Sequence, residues 1–295
     1  MLKDSYKSGF ISVVGRPNVG KSTLVNHLIG QKISITSKKA QTTRHKIKGI
    51  FTDETAQLIF IDTPGFQTIY KNSLNQKLND NVIAAIKDSD VVLFVVEVNK
   101  FKEADQEVIN KIPRYIKTIL VINKIDKFKH EIDLKSFIQS FQKYHSFVDI
   151  QTVSAKYNHQ TSHLIEKIKK QLPEGLPFYP EDMLTDRSSQ FLVSEIIREK
   201  IFRYIGEEIP YLVNIEIDSF EIQPKLIRIN ASILVDKINH KGMIIGKNGE
   251  KLKKIATKAR LDIEKLLGNK IFLQTWVRVK SGWADDIRFS KELDD

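Results

Sequence analysis

The strongest structural signal in this sequence is Gly15-Arg16-Pro17-Asn18-Val19-Gly20-Lys21-Ser22. It follows an apolar run, residues 10–14, that is typical of a buried strand, and it precedes residues 23–29, which are typical of a helix ending at Gly30. A strand, the pattern G-x-x-x-x-G-K-S and a helix together predict a phosphate-binding loop. Gly15 and Gly20 allow successive N–H groups to turn toward phosphate oxygens because they carry no Cβ.

In such a loop Lys21 reaches the β- and γ-phosphates of a nucleotide, and the Ser22 hydroxyl is a ligand for Mg²⁺. The helix N-terminus adds a partial positive charge. The alternative is a glycine-containing turn with an ordinary surface lysine, and the loop alone does not separate ATP from GTP. The residues predicted here to bind the nucleotide are Gly15, Asn18, Val19, Gly20, Lys21, Ser22 and Thr23.

The composition indicates a soluble globular protein, with 41% hydrophobic and 28% charged residues, and the length of 295 residues favours two domains. The absence of cysteine excludes disulfides and thiolate metal sites and fits a reducing compartment. The first residues lack the apolar core of a signal peptide, and no apolar run is long enough to span a membrane.

The net charge of +11 favours a polyanionic partner, either nucleic acid or an anionic membrane surface. The excess is concentrated in two stretches. Residues 237–260 contain eight basic residues against one acid, and residues 32–48 contain six basic residues and no acid.

The basic stretch after the first helix is predicted to be a switch loop. Within it, Thr43 is the predicted second hydroxyl ligand of Mg²⁺, with Thr42 as the alternative. Two strands follow, residues 47–52 and 57–61, and the second leads into Asp62-Thr63-Pro64-Gly65. We expect Asp62 to hold Mg²⁺ through water and the Gly65 N–H to sense the γ-phosphate. The groups predicted to act in catalysis are Lys21, Thr43 and Gly65.

The sequence Asn123-Lys124-Ile125-Asp126, at the end of another buried strand, predicts the choice of base. The Asp126 carboxylate presents two acceptors that match the N1–H and 2-amino donors of guanine. Asn123 can tether the loop, and the Lys124 stem can cover the base. Ser154-Ala155-Lys156, after a strand at residues 149–153, can offer the Ala155 N–H to guanine O6.

With these four motifs in order, the first half resembles the translation-factor-like GTPases. The alternation of strands and helices predicts a doubly wound α/β sheet with its ligand at the strand C-termini. Phe66 stands where Ras-like proteins carry the glutamine that orients water, which predicts slow intrinsic hydrolysis. Resemblance to related GTPases with this loop sequence implies that Asn18 is a ligand of K⁺.

The second half begins after residues 173–180, which contain three prolines and a glycine and are predicted to form a linker of limited flexibility. A helix (191–204), strands (211–217 and 226–235), the sequence I-I-G-K-N-G, a lysine-rich helix and a strand (271–279) follow. This order resembles a type II KH domain, a smaller α+β fold that binds single-stranded RNA at its G-x-x-G loop. The alternative is a glycine turn before a solvated helix. The predicted RNA-binding residues are Ile244, Ile245, Gly246, Lys247, Asn248, Gly249, Lys251 and Lys254.

Nearly the whole chain, from the phosphate-binding loop through residues 33–44 to Trp276–Asp286, resembles the Era family of bacterial GTPases. The expected domains are a GTPase domain (1–173), a linker (174–186) and a KH domain (187–295). The resemblance implies GTP or GDP with Mg²⁺ as ligands, binding to the 3′ end of small-subunit ribosomal RNA in 30S maturation, and a monomer. It also implies a cytoplasmic protein with peripheral association with the inner membrane. The alternatives are a membrane-associated regulatory GTPase and an RNA chaperone that uses nucleotide only as a switch ligand.

Overall fold

A computed structural model describes residues 6–36, 45–66, 73–127, 132–206 and 213–281. They form two compact units. The first comprises the described residues up to Ser34 and from His45 to Asp186, and the second comprises Ile35, Thr36 and the described residues from Arg187 onward.

The first unit is built on a six-stranded sheet in the order β2-β3-β1-β4-β5-β6. All neighbouring strands are parallel except β2 and β3, which are antiparallel. The strands are β1 (Lys7–Val14), β2 (Ile47–Thr52), β3 (Ala56–Asp62), β4 (Val91–Glu97), β5 (Lys117–Asn123) and β6 (Asp149–Val153). Every residue of β3 and β4 is buried, as a sheet covered by helices on both faces requires.

The helices of this unit are α1 (Lys21–Ile29), α2 (Ser73–Lys87), α3 (Glu103–Asn110), α4 (Ile132–Gln142) and α5 (Thr161–Lys169). They alternate with the strands, so the predicted doubly wound α/β architecture is confirmed. The parallel strands β1, β3, β5 and β6 end at Val14, Asp62, Asn123 and Val153, at one edge of the sheet. The four predicted nucleotide motifs therefore converge at this edge.

Residues 174–186, here called the connector, are bonded along the first unit. The buried side chain of Gln57 accepts hydrogen bonds from the N–H groups of Phe178 (2.7 Å) and Tyr179 (2.9 Å) and donates to the Tyr179 carbonyl (2.8 Å). The Phe178 ring lies 4.9 Å from that of Phe10. Farther along, the Ile50 N–H donates to the Leu184 carbonyl at 2.9 Å. The connector is thus an ordered part of the first unit.

The second unit contains a three-stranded sheet, β7-β8-β9, in which β7 is antiparallel and β9 parallel to the central strand. Its elements are α6 (Ser189–Tyr204), β7 (Val213–Gln223), β8 (Leu226–Val235), α7 (Ile238–Ile245), α8 (Glu250–Leu267) and β9 (Ile271–Val279). Apolar residues of α6, α7 and α8 share one core with the sheet.

The helix α7 is missing from the element order predicted by the sequence, which is wrong on this point. It has only eight residues and includes Gly242, so its periodic signal is weak. Among the described residues, no helix combines the length and the hydropathy needed to cross a bilayer.

Candidate nucleotide-binding site and RNA-binding surface

The loop between β1 and α1 has a backbone that only glycine can adopt at two positions. Gly15 has φ +154° and Gly20 has φ +103°. A Cβ on Gly15 would lie 2.3 Å from the Val95 carbonyl oxygen, and one on Gly20 would lie 2.3 Å from Asn123 Nδ2. Glycine is therefore required at both positions for a steric reason as well as a conformational one.

Lys21 lies under this loop at the start of α1, and its side chain is buried. Its Nζ donates to the carbonyl oxygens of Gly15 (3.0 Å) and Arg16 (3.1 Å). Burial lowers the pKa of Lys21 to about 8, although the nearby Asp62 acts in the opposite direction. The ammonium is thus held in the loop, and its positive charge is only partly compensated by the protein. This is what a group that binds phosphate oxygens requires.

Asp62 ends β3 with both carboxylate oxygens buried and without a full hydrogen bond. Burial raises its pKa, and the Ser22 and Ser34 hydroxyls and Lys21 offset this only in part. A buried carboxylate whose oxygens are incompletely hydrogen-bonded, close to a serine hydroxyl, matches the oxygen ligands that Mg²⁺ prefers. The residues present therefore fit the metal that the two motifs imply.

The segment after Asp62 lies against the phosphate-binding loop. Thr63 Oγ1 donates to the Val13 carbonyl at 2.8 Å, and the Phe66 N–H donates to the Gly15 carbonyl at 3.3 Å. A Cβ on Gly65 would come within 2.8 Å of Pro17 Cα. The Phe66 side chain packs in the apolar core. Phe66 therefore contributes packing, and its side chain cannot form a hydrogen bond, at the position where Ras-like proteins carry a water-orienting glutamine.

Asn123 ties the loop after β5 to its neighbours. Its Nδ2 donates to the Val19 carbonyl (2.8 Å), and its Oδ1 accepts from the N–H groups of Lys124 (2.7 Å) and Ala155 (3.0 Å). This is the predicted tethering role. Guanine O6 would have to share the Ala155 N–H with Asn123, which the sequence did not anticipate. Val19 is fully buried, so only its backbone takes part.

The carboxylate of Asp126, which is predicted to select the base, is exposed and held by a hydrogen bond. Asp126 Oδ1 accepts a hydrogen bond of 2.5 Å from the Ser154 hydroxyl, which gives Ser154 a role in positioning it. The Lys156 side chain is exposed and donates to Tyr157 Oη at 2.8 Å. Asp126, Ser154 and Ala155 are therefore brought together as predicted.

Glu97, at the end of β4, is a site residue that the sequence reasoning missed. Its carboxylate pairs with Lys124 (2.6 Å), Lys100 (2.9 Å) and Lys127 (3.3 Å). Burial alone would raise the pKa of Glu97, but hydrogen bonds from Lys124 and Lys100 lower it to about 2. Lys124 Nζ also donates to the Asn18 carbonyl at 2.5 Å, so Glu97 helps hold the lysine between two loops. A single acid ending an apolar strand, in register with Asn123, was the available signal.

Three predicted or alternative site residues are threonines. Thr43, and its alternative Thr42, lie outside the described residues. Thr23 is half-buried in the first turn of α1.

The G-x-x-G loop of the second unit lies between α7 and α8. Gly246, Asn248 and Gly249 all have positive φ, at 72°, 51° and 76°. A Cβ on Gly246 would come within 2.7 Å of Lys251 Cγ. The side chains of Lys247, Asn248, Lys251 and Lys254 are exposed, and Lys254 lies over the Tyr204 ring at 4.8 Å.

The prediction that the Ile244 side chain binds RNA is wrong, because this side chain is fully buried in the core of the second unit. The helix α7 turns it inward, and the neighbouring Ile245 is only half-buried. Of the two isoleucines, Ile245 is the one left near the surface.

Comparisons with known proteins match each of the two units to a known family. A family model described as a 50S ribosome-binding GTPase matches residues 10–124, and one described as a KH domain matches residues 208–284. The chain is 56% identical to GTPase Era of Neisseria meningitidis serogroup A over 98% of this chain and 95% of the relative. It is 52% identical to GTPase Era of Chromobacterium violaceum over 99% of both chains.

Solved structures are similar over the whole chain. One is Era in complex with MgGDPNP and nucleotides 1506–1542 of 16S ribosomal RNA, with a TM-score of 0.90, 35% identity and 98% of each chain covered. Another is a variant of Aquifex aeolicus Era bound to GDP and AlF4⁻, with a TM-score of 0.90, 35% identity and coverage of 97% and 98%.

Proposed function

The chain belongs to the Era family of GTPases, and from this premise we propose that it binds the 3′ end of small-subunit ribosomal RNA during 30S maturation, in a manner controlled by bound GTP or GDP. The observation that carries the proposal is the pairing, in one chain, of a phosphate-binding loop next to the Asn123–Asp126 segment with an exposed, basic G-x-x-G loop. The complex of a 35% identical Era with the 3′ portion of 16S ribosomal RNA supports the same ligand.

In the GTPase reaction this chain contributes mainly charge and position. Lys21 neutralises the phosphates, and the Asp62–Gly65 segment lies against the loop that holds them. Asp62 and Ser22 would hold Mg²⁺, which supplies charge stabilisation at the β- and γ-phosphates when bound. Thr43 is proposed as the further hydroxyl ligand. Because Phe66 has no hydrogen-bonding group, we expect slow hydrolysis until another group orients the water.

Guanine selection is tested at Asp126. Replacing it in Asp126→Asn exchanges an acceptor for a donor, so the preference should move from GTP toward xanthosine triphosphate. Calorimetric titration with both nucleotides measures this. Lys170→Gln, which changes an exposed lysine at the end of α5, is the control and should keep the preference for GTP. An unchanged preference in Asp126→Asn would show that another group selects the base.

The RNA proposal is tested at the two ends of α8. Lys247→Gln, in the G-x-x-G loop, should weaken binding to an oligonucleotide of the ribosomal 3′ end and reduce the salt dependence by about one phosphate contact. Lys265→Gln, an exposed lysine near the other end of α8, should leave both unchanged. Equal losses in the two variants would mean that only net charge matters.

Control by nucleotide is tested in the same titration, with the full chain loaded with GDP or a non-hydrolysable GTP analogue. A difference in RNA affinity is expected, and by linkage RNA should change nucleotide affinity by the same factor. Equal RNA affinities in the two states would overturn the coupling.

We further propose a cytoplasmic monomer, as the resemblance to the Era family implies. The net charge of +11 and its two basic stretches support the further proposal that it associates peripherally with the anionic inner membrane. Competition between anionic vesicles and RNA, and sedimentation of the full chain, test these points. We also propose that Asn18, an exposed residue of the phosphate-binding loop, is a K⁺ ligand, as the resemblance to related GTPases with this loop sequence implies. Hydrolysis measured in K⁺ and in Na⁺, with wild-type protein and Asn18→Ala, tests this.

A further inference from the structure

Arg16 lies inside the phosphate-binding loop, yet its side chain is bonded to α3 and to the residues before that helix. Its Nε donates to Asp105 Oδ2 at 2.9 Å, and its Nη2 donates to the Lys100 carbonyl at 3.1 Å. The side chains of Arg16 and Asp105 are 10% and 0% exposed. We propose that Arg16 and Asp105 are positioning residues for the GTPase reaction, which fix the backbone of the phosphate-binding loop from outside the nucleotide site.

Asp105 is itself held at a defined place. Its Oδ2 also accepts the Lys102 N–H at 2.9 Å, at the beginning of α3. The carboxylate therefore joins the first turn of a helix to the loop, and Arg16 reaches two acceptors at once. A rigid guanidinium does this with donors on two separate nitrogens in a fixed geometry, which the single nitrogen of an ammonium does not reproduce.

Stability alone is a weak reason for such a pair. A buried ion pair loses the hydration of both ions, and well-packed apolar residues are often as stable in its place. What distinguishes this pair from others in the first unit is the backbone to which it is attached.

That backbone holds two parts of the catalytic site. The Arg16 and Gly15 carbonyls are the two acceptors of Lys21 Nζ. The Gly15 carbonyl also accepts the Phe66 N–H, and Pro17 lies against Gly65. A displacement at Arg16 would therefore reach both the phosphate-binding ammonium and the segment that follows Asp62. A misplacement of about 1 Å can lower a rate by about 100-fold.

The test compares Arg16→Gln, Asp105→Asn and the double variant in the full chain. We expect each single variant to bind GDP within a few-fold of the wild type but to hydrolyse GTP 10- to 100-fold more slowly under single-turnover conditions. The ³¹P signals of bound GDP and of a bound GTP analogue should shift. The double variant should be no slower than the slower single variant, because both substitutions break the same contact.

The matched control is Lys169→Gln, which removes a 2.6 Å ion pair with Asp53 within the first unit and away from the loop. It should lower thermal stability without changing the rate or the ³¹P signals. If Arg16→Gln and Asp105→Asn behave in the same way as this control, the pair is merely structural and the proposal is overturned.

Arg16→Lys keeps a positive charge opposite the buried carboxylate and serves if the other variants do not fold. It should retain most of the stability and still hydrolyse GTP more slowly, since one ammonium cannot bond both Asp105 and the Lys100 carbonyl in the same geometry. A folded Arg16→Lys variant with the wild-type rate and ³¹P signals would equally overturn the proposal.

Discussion

The lowered pKa of Lys21 predicts that nucleotide binding takes up a proton. The difference between the ordinary lysine pKa of 10.5 and the value of about 8 for Lys21 corresponds to a free energy of about 3 kcal/mol against the charged form, at about 1.4 kcal/mol per pKa unit. In the free protein Lys21 is therefore ~10% neutral at pH 7, about half neutral at pH 8 and ~90% neutral at pH 9. The phosphates of a bound nucleotide favour the charged form and raise this pKa. Uptake should accordingly rise from ~0.1 proton at pH 7 to ~0.5 at pH 8 and ~0.9 at pH 9.

The assay is calorimetric titration with GDP at each pH in buffers of different ionisation enthalpy, where the dependence of the observed heat on the buffer gives the protons taken up. A terminal phosphate has its second pKa near 6, so at pH 8 and above it adds little. The same pKa predicts that affinity falls as the pH rises through about 8, because an increasing share of the protein must first be protonated.

Two variants separate Lys21 from other groups. Lys21→Ala, titrated at concentrations that compensate for weaker binding, should lose the uptake between pH 7 and 9. Lys124→Met should keep it, although burial also lowers the pKa of Lys124. Uptake that does not increase with pH, or that persists in Lys21→Ala, would refute the assignment of the titration to the phosphate-binding lysine.

Three further predictions concern packing. Gly65→Ala should slow GTP hydrolysis by about tenfold or more while GDP binding changes little, because the added Cβ would displace the backbone at Pro17; single-turnover rates measure this. Gln57→Leu should lower the free energy of unfolding by about 2 to 4 kcal/mol, since two N–H groups of the connector lose their acceptor, and urea titration measures this. Ile244→Ala should cost about 2 to 5 kcal/mol of stability through the cavity it leaves, while the RNA affinity of the folded protein stays within about twofold. A large loss of RNA affinity without a loss of stability would show instead that the Ile244 side chain contacts RNA.

The nucleotide site was largely predictable because its parts are local in sequence. Each motif follows a strand that can be recognised from its apolar run, and parallel strands bring their carboxyl ends to one edge. Lys21, Asp62, Asn123 and Asp126 could therefore be placed without knowledge of any contact. The helix α7 could not, since eight residues that include a glycine give a weak pattern, and Ile244 was misplaced for the same reason.

The contacts that support the site could not be predicted from the sequence because they join residues that are far apart along the chain. Arg16 and Asp105 are 89 residues apart, and Glu97 and Lys124 are 27 apart. A charged residue on a predicted helix is ordinarily a solvated one, and only the folded chain shows which of them faces a loop. The connector is a similar case: its prolines indicated a boundary, but the partner that fixes it, Gln57, lies 121 residues earlier than Phe178.

That arrangement determines where the chain can be cut. A protein truncated at Pro173 would keep every nucleotide motif yet leave Gln57 Oε1 without its two donors and the Phe10 ring without its aromatic neighbour. A stranded polar group of this kind costs about 1 to 3 kcal/mol, a large share of the stability of a small domain. An isolated nucleotide-binding half should therefore retain the sequence through Asp186 to be soluble and well ordered.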